Sequence, residues 1–322
     1  MFNRAKELRA SLVMMILALV FSAVLIYSDS SIRARSFKTS GFELNQGFID
    51  PYALSKSELT KIAAEPSLDN GITLVRKVPV FQPVTVAHRG YDMIDLYRQT
   101  GQKKFLLEAE RLLQLIIDHS VLDQQNREWM PYNFDFPLHQ DKNNTIHATW
   151  HSAMAQGLVL SLSSRLYEET EDLKYLKESQ KVFAALDQIF KVKDLTKGSQ
   201  FVTFIDDKGY LWLEEYAGDV APMKVINGHI FAIFGLADYW KVSGSSEAAD
   251  LIDGAATTVD HYFNSFRNPG GVAWYGLRIQ NNPNALSKKY HRIVTDQLKV
   301  LASITNDPRF SKESKLLKSD FA

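Results

Sequence analysis

The sequence predicts an all-α protein: an α/α barrel, built as an incomplete toroid of helical hairpins, with an N-terminal membrane-anchor helix. Three observations predict it. A helix–turn–helix pattern recurs, with turns at Thr100, Thr170, Ser243 and Thr305 that are 70, 73 and 62 residues apart. The stretches between hairpins are long and rich in Trp, Tyr, Phe, Asp and Gly. A charge-free apolar run, Leu12 to Ser28, stands ahead of everything else. Short-repeat solenoids use periods of roughly 34 to 47 residues. The longer period here leaves room for loops that meet at one end, which favours a ring with its site at the loop end.

The elements follow in chain order. Arg4, Lys6 and Arg9 precede the apolar run. At about 1.5 Å per residue the run spans about 25 Å, close to the hydrocarbon thickness of a bilayer. Residues 1–28 therefore read as a short cytoplasmic end and a signal anchor, which places the body on the non-cytoplasmic side, the periplasm in a bacterium. Residues 29–85 read as a stalk with an extended lead-in, including a short helix at Ser55 to Ala64 and an extended stretch at Ile72 to Val86. Residues 86–322 carry the repeat. Leu96 to Gly101 precedes Lys104-Phe105-Leu106, Leu166 to Glu171 precedes Lys174-Tyr175-Leu176, Asp238 to Gly244 precedes Ala248 to Phe263, and Ala302 to Asp307 precedes Phe310 to Leu317.

Composition narrows the function. Lys plus Arg and Asp plus Glu both number 37, so a general nucleic-acid binder is not indicated. With no cysteine, disulfides, thiol nucleophiles and Cys-zinc sites are excluded. The eight histidines lack the spacing of a metal site, and Walker A, dinucleotide and nucleophile-elbow motifs are absent. No cofactor is expected.

Four constellations remain. The first inter-hairpin loop carries Trp129-Met130-Pro131-Tyr132-Asn133-Phe134-Asp135-Phe136 and runs into Trp150-His151-Ser152-Ala153-Met154-Ala155-Gln156-Gly157. Aromatics with short polar residues suit sugar faces and hydroxyls, and equally suit a packed plug. Small residues at a helix start allow close approach to a ligand or to another helix. The second constellation is Trp212-Leu213-Glu214-Glu215-Tyr216, followed by Val225-Ile226-Asn227-Gly228. Three consecutive polar residues cannot all face one way. A Glu215 turned into a cavity would have a raised pKa and serve as a base. The third is Tyr275-Gly276-Leu277-Arg278, where a helical turn would put the phenol and the guanidinium on one face, fit to bind a carboxylate. The fourth is Lys289-Tyr290-His291, where a loop enters a helix.

As an ordered set, these segments resemble the C-terminal catalytic domain of D-glucuronyl C5-epimerase, the enzyme of heparan sulfate and heparin biosynthesis. The resemblance runs over roughly residues 86 to 318. It implies an α/α barrel and an isomerase that inverts C5 of D-glucuronate to L-iduronate within a heparosan-like polysaccharide. It also implies that Glu215 and Tyr290 transfer protons on opposite faces of C5, with Tyr216, Tyr275 and Arg278 binding and polarising the carboxylate. Trp129, Tyr132, Trp150, His151, Gln156, Asn227 and His291 complete the expected substrate-binding set, and a homodimer is admitted. His151 departs from the tyrosine of animal members, Gly276 from the usual Asp, and Ala217 from the usual Pro. The β-rich domains that precede the barrel in animal members find no counterpart, which suggests a compact bacterial form. Two alternatives share the early chemistry or the fold: a polysaccharide lyase or uronyl hydrolase, and a non-catalytic, membrane-tethered polysaccharide-binding protein.

Overall fold

The computed structural model describes residues 37–321, Arg76 and Asn281 excepted. The expected anchor, Leu12 to Ser28, lies outside the described residues. Among those described, no helix is long and apolar enough to cross a membrane. The body comprises Lys38–Ala322.

The helices form hairpins, as the repeat predicts. After a short helix α1 (Lys56–Ala63), closed by a Ser55–Glu58 capping box, come α2 (Pro83–Thr100) with α3 (Lys103–Ile117), and α4 (Ala153–Thr170) with α5 (Leu173–Leu186). Then follow α6 (Ile226–Ser243) with α7 (Ser246–Phe266), and α8 (Lys288–Thr305) with α9 (Pro308–Asp320). The recurrent Thr/Ser turn has a local cause. In each first helix the last hydroxyl donates to the carbonyl four residues back, at 2.6 Å from Thr100, 2.6 Å from Thr170, 2.7 Å from Ser243 and 2.8 Å from Thr305. The next residue, Gly101, Glu171, Gly244 or Asn306, takes the left-handed conformation that ends a helix. Asp172, Ser245 and Asp307 then cap the second helix.

The first helices α2, α4, α6 and α8 form an inner row, packed in chain order. Two of them touch backbone to backbone. A Cβ on Gly235 would lie 2.0 Å from the Gly157 carbonyl oxygen, and one on Gly157 would lie 2.5 Å from Ala232 Cα. The small residues after Ser152 therefore serve helix packing.

The structure departs from the all-α expectation in the loops. Each loop that enters an inner helix, except the last, contains short strands. These are β1 (Ile72–Val75) and β2 (Val78–Phe81) before α2; β3 (Val121–Leu122), β4 (Glu128–Trp129), β5 (Phe136–Pro137) and β6 (Thr145–Ile146) before α4; and β7 (Ile189–Lys191), β8 (Thr203–Ile205) and β9 (Leu211–Leu213) before α6. All pair antiparallel with a neighbour except β7, which is parallel to β8.

Residues 38–55, expected as stalk, are packed against the ring. The Asn45 amide donates to the Ile304 carbonyl at 2.8 Å, and the Leu54 amide donates to Asp95 at 3.0 Å. Asp50 accepts both terminal nitrogens of buried Arg165 at 2.8 Å, while Asp238 accepts Arg165 Nε at 2.9 Å. Tyr52 stacks on Tyr91 at 4.1 Å and lies near Phe231 and Phe234. This strap thus ties α8, α4 and α2 together near the carboxyl ends of the inner row and puts the Tyr52 ring among α2, α4 and α6.

Candidate active site

The amino ends of the inner helices receive the loops, and neighbouring loops are sewn together by backbone hydrogen bonds. His151 and Ala217 exchange amide–carbonyl bonds at 2.9 Å, Ala153 donates to the Glu214 carbonyl at 2.8 Å, and Ile226 donates to the Tyr275 carbonyl at 3.2 Å. A pocket of about 230 Å³ opens among them. All four hairpins contribute to it: Val75 and Gln82 ahead of α2, Tyr132, Trp150 and Ser152 ahead of α4, Glu215, Tyr216 and Asn227 at α6, and Tyr290 in the first turn of α8.

Strand periodicity assigns the aromatic loop. Tyr132 and Trp150 pair antiparallel, at 2.8 and 3.2 Å between backbone atoms. Alternate residues then face opposite ways. Tyr132, Phe134, Trp150 and Ser152 line the pocket, whereas Pro131, Asn133, Thr149 and His151 line a second cavity of about 640 Å³ behind it. Tyr132 stacks on Trp150 at 4.1 Å and 9°, giving the pocket a flat apolar wall.

The two glutamates part company in the same way. Glu214 follows β9, and its carboxylate accepts the Tyr216 amide at 3.1 Å and the Lys224 amide at 3.0 Å. It closes the loop on itself. Glu215 turns into the pocket, only 8% exposed. Its Oε1 accepts the Tyr275 hydroxyl at 2.8 Å, and that hydroxyl lies 3.1 Å from the hydroxyl of Tyr216. Oε2 is buried without a partner. Burial pushes the Glu215 carboxyl up to about 7, against the lowering effect of the Tyr275 and Tyr216 hydroxyls. The Tyr290 phenol is raised by burial and then by the Glu215 charge, so it keeps its proton at neutral pH. Its ring sits 4.7 Å from that of Tyr275. This group of residues holds an acid poised near neutrality beside three phenols and an aromatic wall, so it can take a proton and give one.

Five expected site residues lie elsewhere. Arg278 does not line the pocket. Tyr275 sits at a bend between two bridge residues, Trp274 and Gly276, and Arg278 belongs to a separate one-turn helix, Leu277–Ile279, so the two do not share a helical face. The guanidinium is exposed, donates to the Ala221 carbonyl and to Asn144 Oδ1 at 3.3 Å, and lines another depression. Trp129 is fully buried with its indole donating to Asp123 at 2.9 Å, so it plugs the loop. Gln156 is spent on backbone, accepting the Met130 amide at 2.8 Å and donating to the Glu128 carbonyl at 2.9 Å. His291 accepts the Ala273 amide and donates to the Leu317 carbonyl, both at 3.0 Å. His151, held neutral by burial at a pKa of about 4, faces the rear cavity. Asn227 lines the pocket as expected, with its Oδ1 buried and unpartnered.

Gly228 of the Asn-Gly motif has a role that the motif alone does not reveal. A Cβ there would lie 2.2 Å from Glu215 Oε2, so only glycine leaves the carboxylate its place. Ser152, whose hydroxyl caps α4, and Phe136, stacked on Tyr216, line the pocket too; the helix-start pattern carries a signal for the first and the aromatic loop run one for the second. Among the described residues, no group of three or more His, Asp and Glu is placed to hold a metal ion.

Comparison with known proteins gives the same region. Residues 124–319 match the D-glucuronyl C5-epimerase C-terminus. A D-glucuronyl C5-epimerase of Caenorhabditis elegans is 28% identical over 178 residues, 51% of this chain and 27% of that protein, so the match spans about a quarter of the relative's length. Similar solved structures include cellobiose 2-epimerase from Bacillus thermoamylovorans B4167 (14% identity, 74% of this chain and 58% of that one, TM-score 0.52). A sugar epimerase from a ruminal bacterium (14%, 81% and 67%, 0.52) and a D-mannose isomerase (10%, 82% and 70%, 0.54) share the helical-hairpin ring as well. At these identities the likeness is one of fold. With the match extending over more than half of its length, the chain belongs to the family of the D-glucuronyl C5-epimerase C-terminal domain.

Proposed function

We propose that the protein is a carbohydrate epimerase that inverts C5 of D-glucuronate to L-iduronate within a heparosan-like polysaccharide. The observation that carries this reading is the pairing, in one pocket, of Glu215 with a carboxyl raised to about 7 and Tyr290 with a phenol that stays protonated. The C5 proton is α to a carboxylate. Glu215 takes it as general base, and Tyr290 delivers a proton to the opposite face. The cycle closes when the proton on Glu215 returns to the Tyr290 phenolate through water or the chain of hydroxyls Tyr275 and Tyr216. Negative charge builds on the substrate carboxylate as the C5–H bond breaks. With Arg278 outside the pocket, stabilisation of that charge falls to hydroxyl donors, Tyr216 and Tyr275, and to the Asn227 side chain. Tyr132 and Trp150 offer the wall on which the sugar ring lies.

The N-terminal segment Leu12 to Ser28 would tether this body at the non-cytoplasmic face of a membrane, and a homodimer remains one assembly to be scored by light scattering. The test is incubation with heparosan in heavy water, followed by NMR at the uronate C5. Deuterium at C5 with unchanged chain length is expected. Shortened chains ending in an unsaturated, ultraviolet-absorbing uronate would select a lyase instead, and binding without exchange would select a non-catalytic role.

A further inference from the structure

The Glu215 pocket is lined by no lysine or arginine among the described residues. A uronate polymer nevertheless carries a carboxylate on every uronate, so charge recognition has to come from outside the pocket. On the outer side of the same loops lies a depression of about 450 Å³, whose lining includes Lys208, Pro222, Lys224, Tyr262, Arg278 and Gln280. The Lys208 and Lys224 ammonium groups each sit 5.6 Å from the Tyr262 ring centre. One carboxylate answers these three cations. Asp206 lies 3.2 Å from Lys224 Nζ, and it is already engaged by the Tyr262 hydroxyl at 2.6 Å and the Trp212 indole at 3.1 Å. Arg278 meets only neutral acceptors: the Ala221 carbonyl, Asn144 Oδ1 and Met223 Sδ. Among the described residues no carboxylate pairs with Arg278 or Lys208. Two positive charges at this surface therefore have no direct ion pair, with Asp206 and Asp207 the carboxylates that act on Tyr262 from nearby.

The depression is joined to the reactive pocket by covalent chain. The Lys224 amide donates to Glu214, the neighbour of Glu215, at 3.0 Å. Arg278 stands three residues after Tyr275, which holds Glu215. Glu215 and Tyr216 line the pocket while Pro222 and Lys224 line the depression, and the Tyr275 hydroxyl reaches Glu215 while Arg278 lines the depression.

We infer that this depression binds an anionic group, a carboxylate or sulfate ester, on a sugar unit flanking the one that reacts. The inference rests on the epimerase reading for its substrate and assigns Arg278 and Lys208 to recognition of the chain beyond the reacting uronate. Exposed cations that bind a polyanion release counterions, so affinity falls with salt in proportion to the contacts made. The test compares the wild type, Lys208→Gln and the double variant Lys208→Gln/Arg278→Gln. Each is titrated calorimetrically with heparosan and heparin octasaccharides, an uncharged chito-oligosaccharide and duplex DNA, at about 50 and about 200 mM salt. The double variant is expected to bind both anionic octasaccharides at least about tenfold more weakly, with the salt slope reduced by about two, and Lys208→Gln alone by about one. Lys208 makes no side-chain hydrogen bond that the fold depends on, so this single variant separates charge loss from any loosening of the loops that Arg278 ties down. Loss on both octasaccharides supports a general anion site, and loss on heparin alone supports one for sulfate. Unchanged affinities and slopes, absence of binding to either octasaccharide, or equal binding of DNA would each overturn it. Exchange at C5 is scored separately. If it never occurs but the cations still govern binding, the proposed activity fails and the anion site stands. If exchange occurs and the variants bind like the wild type, the anion site fails and the activity stands.

Discussion

Gly228→Ala is the smallest change that reaches the centre of the site. The added methyl would lie 2.2 Å from Glu215 Oε2, 2.8 Å from its Cδ and 2.9 Å from its Cβ. Carbon–oxygen pairs settle well above 3 Å, so the carboxylate has to retreat by about 1 Å or more. It is pressed on from three atoms at once, and a simple rotation does not relieve all of them. The retreat breaks the 2.8 Å bond from Tyr275 and moves the carboxylate off the wall it shares with Tyr290. A misplacement of about 1 Å costs about a hundredfold in rate, or about 2.7 kcal/mol of barrier. Stability responds differently. Alanine within a helix gains about 0.5–1 kcal/mol over glycine, while overpacking costs about 1–3 kcal/mol, so the melting temperature shifts by only a few degrees. The assay is deuterium incorporation at the uronate C5, run beside a thermal melt. A Gly228→Ala protein that melts near the wild type and exchanges within about threefold of it would refute the placement of Glu215 as the working carboxylate.

Four further outcomes follow from the contacts described above. Glu215→Gln should lower exchange by about 10²–10⁴, and the wild-type kcat/KM should rise with pH through about 7 as Glu215 loses its proton; a profile flat from pH 5 to 9 contradicts this. The same raised carboxyl means that the folded state holds this proton more tightly than the unfolded chain does. Stability therefore falls as pH rises from about 4.5 to about 7, and Glu215→Gln should be more stable than the wild type at pH 8, by up to about 3 kcal/mol, with no gain at pH 4 in denaturant melts. Gln156→Leu orphans the Met130 amide and the Glu128 carbonyl and should cost about 2–4 kcal/mol of stability; a variant that melts normally but loses only substrate affinity would restore its expected role as a ligand group. Asp50→Ala leaves buried Arg165 with one counter-charge instead of two and should cost about 3 kcal/mol, whereas a strap that is merely a stalk would cost nothing.

The ring of hairpins was legible because its punctuation is local. A hydroxyl that bonds four residues back and a left-handed cap are sequence features in themselves and recur at Thr100, Thr170, Ser243 and Thr305, and an acidic or serine N-cap follows at the last three. The pocket core of Glu215, Tyr216, Tyr275 and Tyr290 was legible through the family resemblance, and the structure brings these four together. What the sequence hid were choices made by tertiary contact. Gln156, His291 and Trp129 are polar or amphipathic groups near a site, and nothing local says whether such a group faces a ligand or a backbone amide. The alternation that sends His151 to the rear cavity depends on the pairing of Tyr132 with Trp150, eighteen residues apart. Arg278 was placed by assuming one helical turn from Tyr275, where the extended Gly276 breaks the turn. The strap at 38–55 reads as polar linker because its stability comes from partners 41 to 258 residues away.

The central claim is that Glu215 and Tyr290 serve the two faces of C5. Its most direct measurement starts from heparosan in heavy water with Tyr290→Phe and Glu215→Gln side by side, reading deuterium at C5 and iduronate content in the same NMR spectrum. Tyr290→Phe should still place deuterium at C5 of glucuronate, because Glu215 takes and returns a proton on its own face, and should form no iduronate. Glu215→Gln should do neither in the forward direction. Iduronate formed by either variant at the wild-type rate would contradict the account.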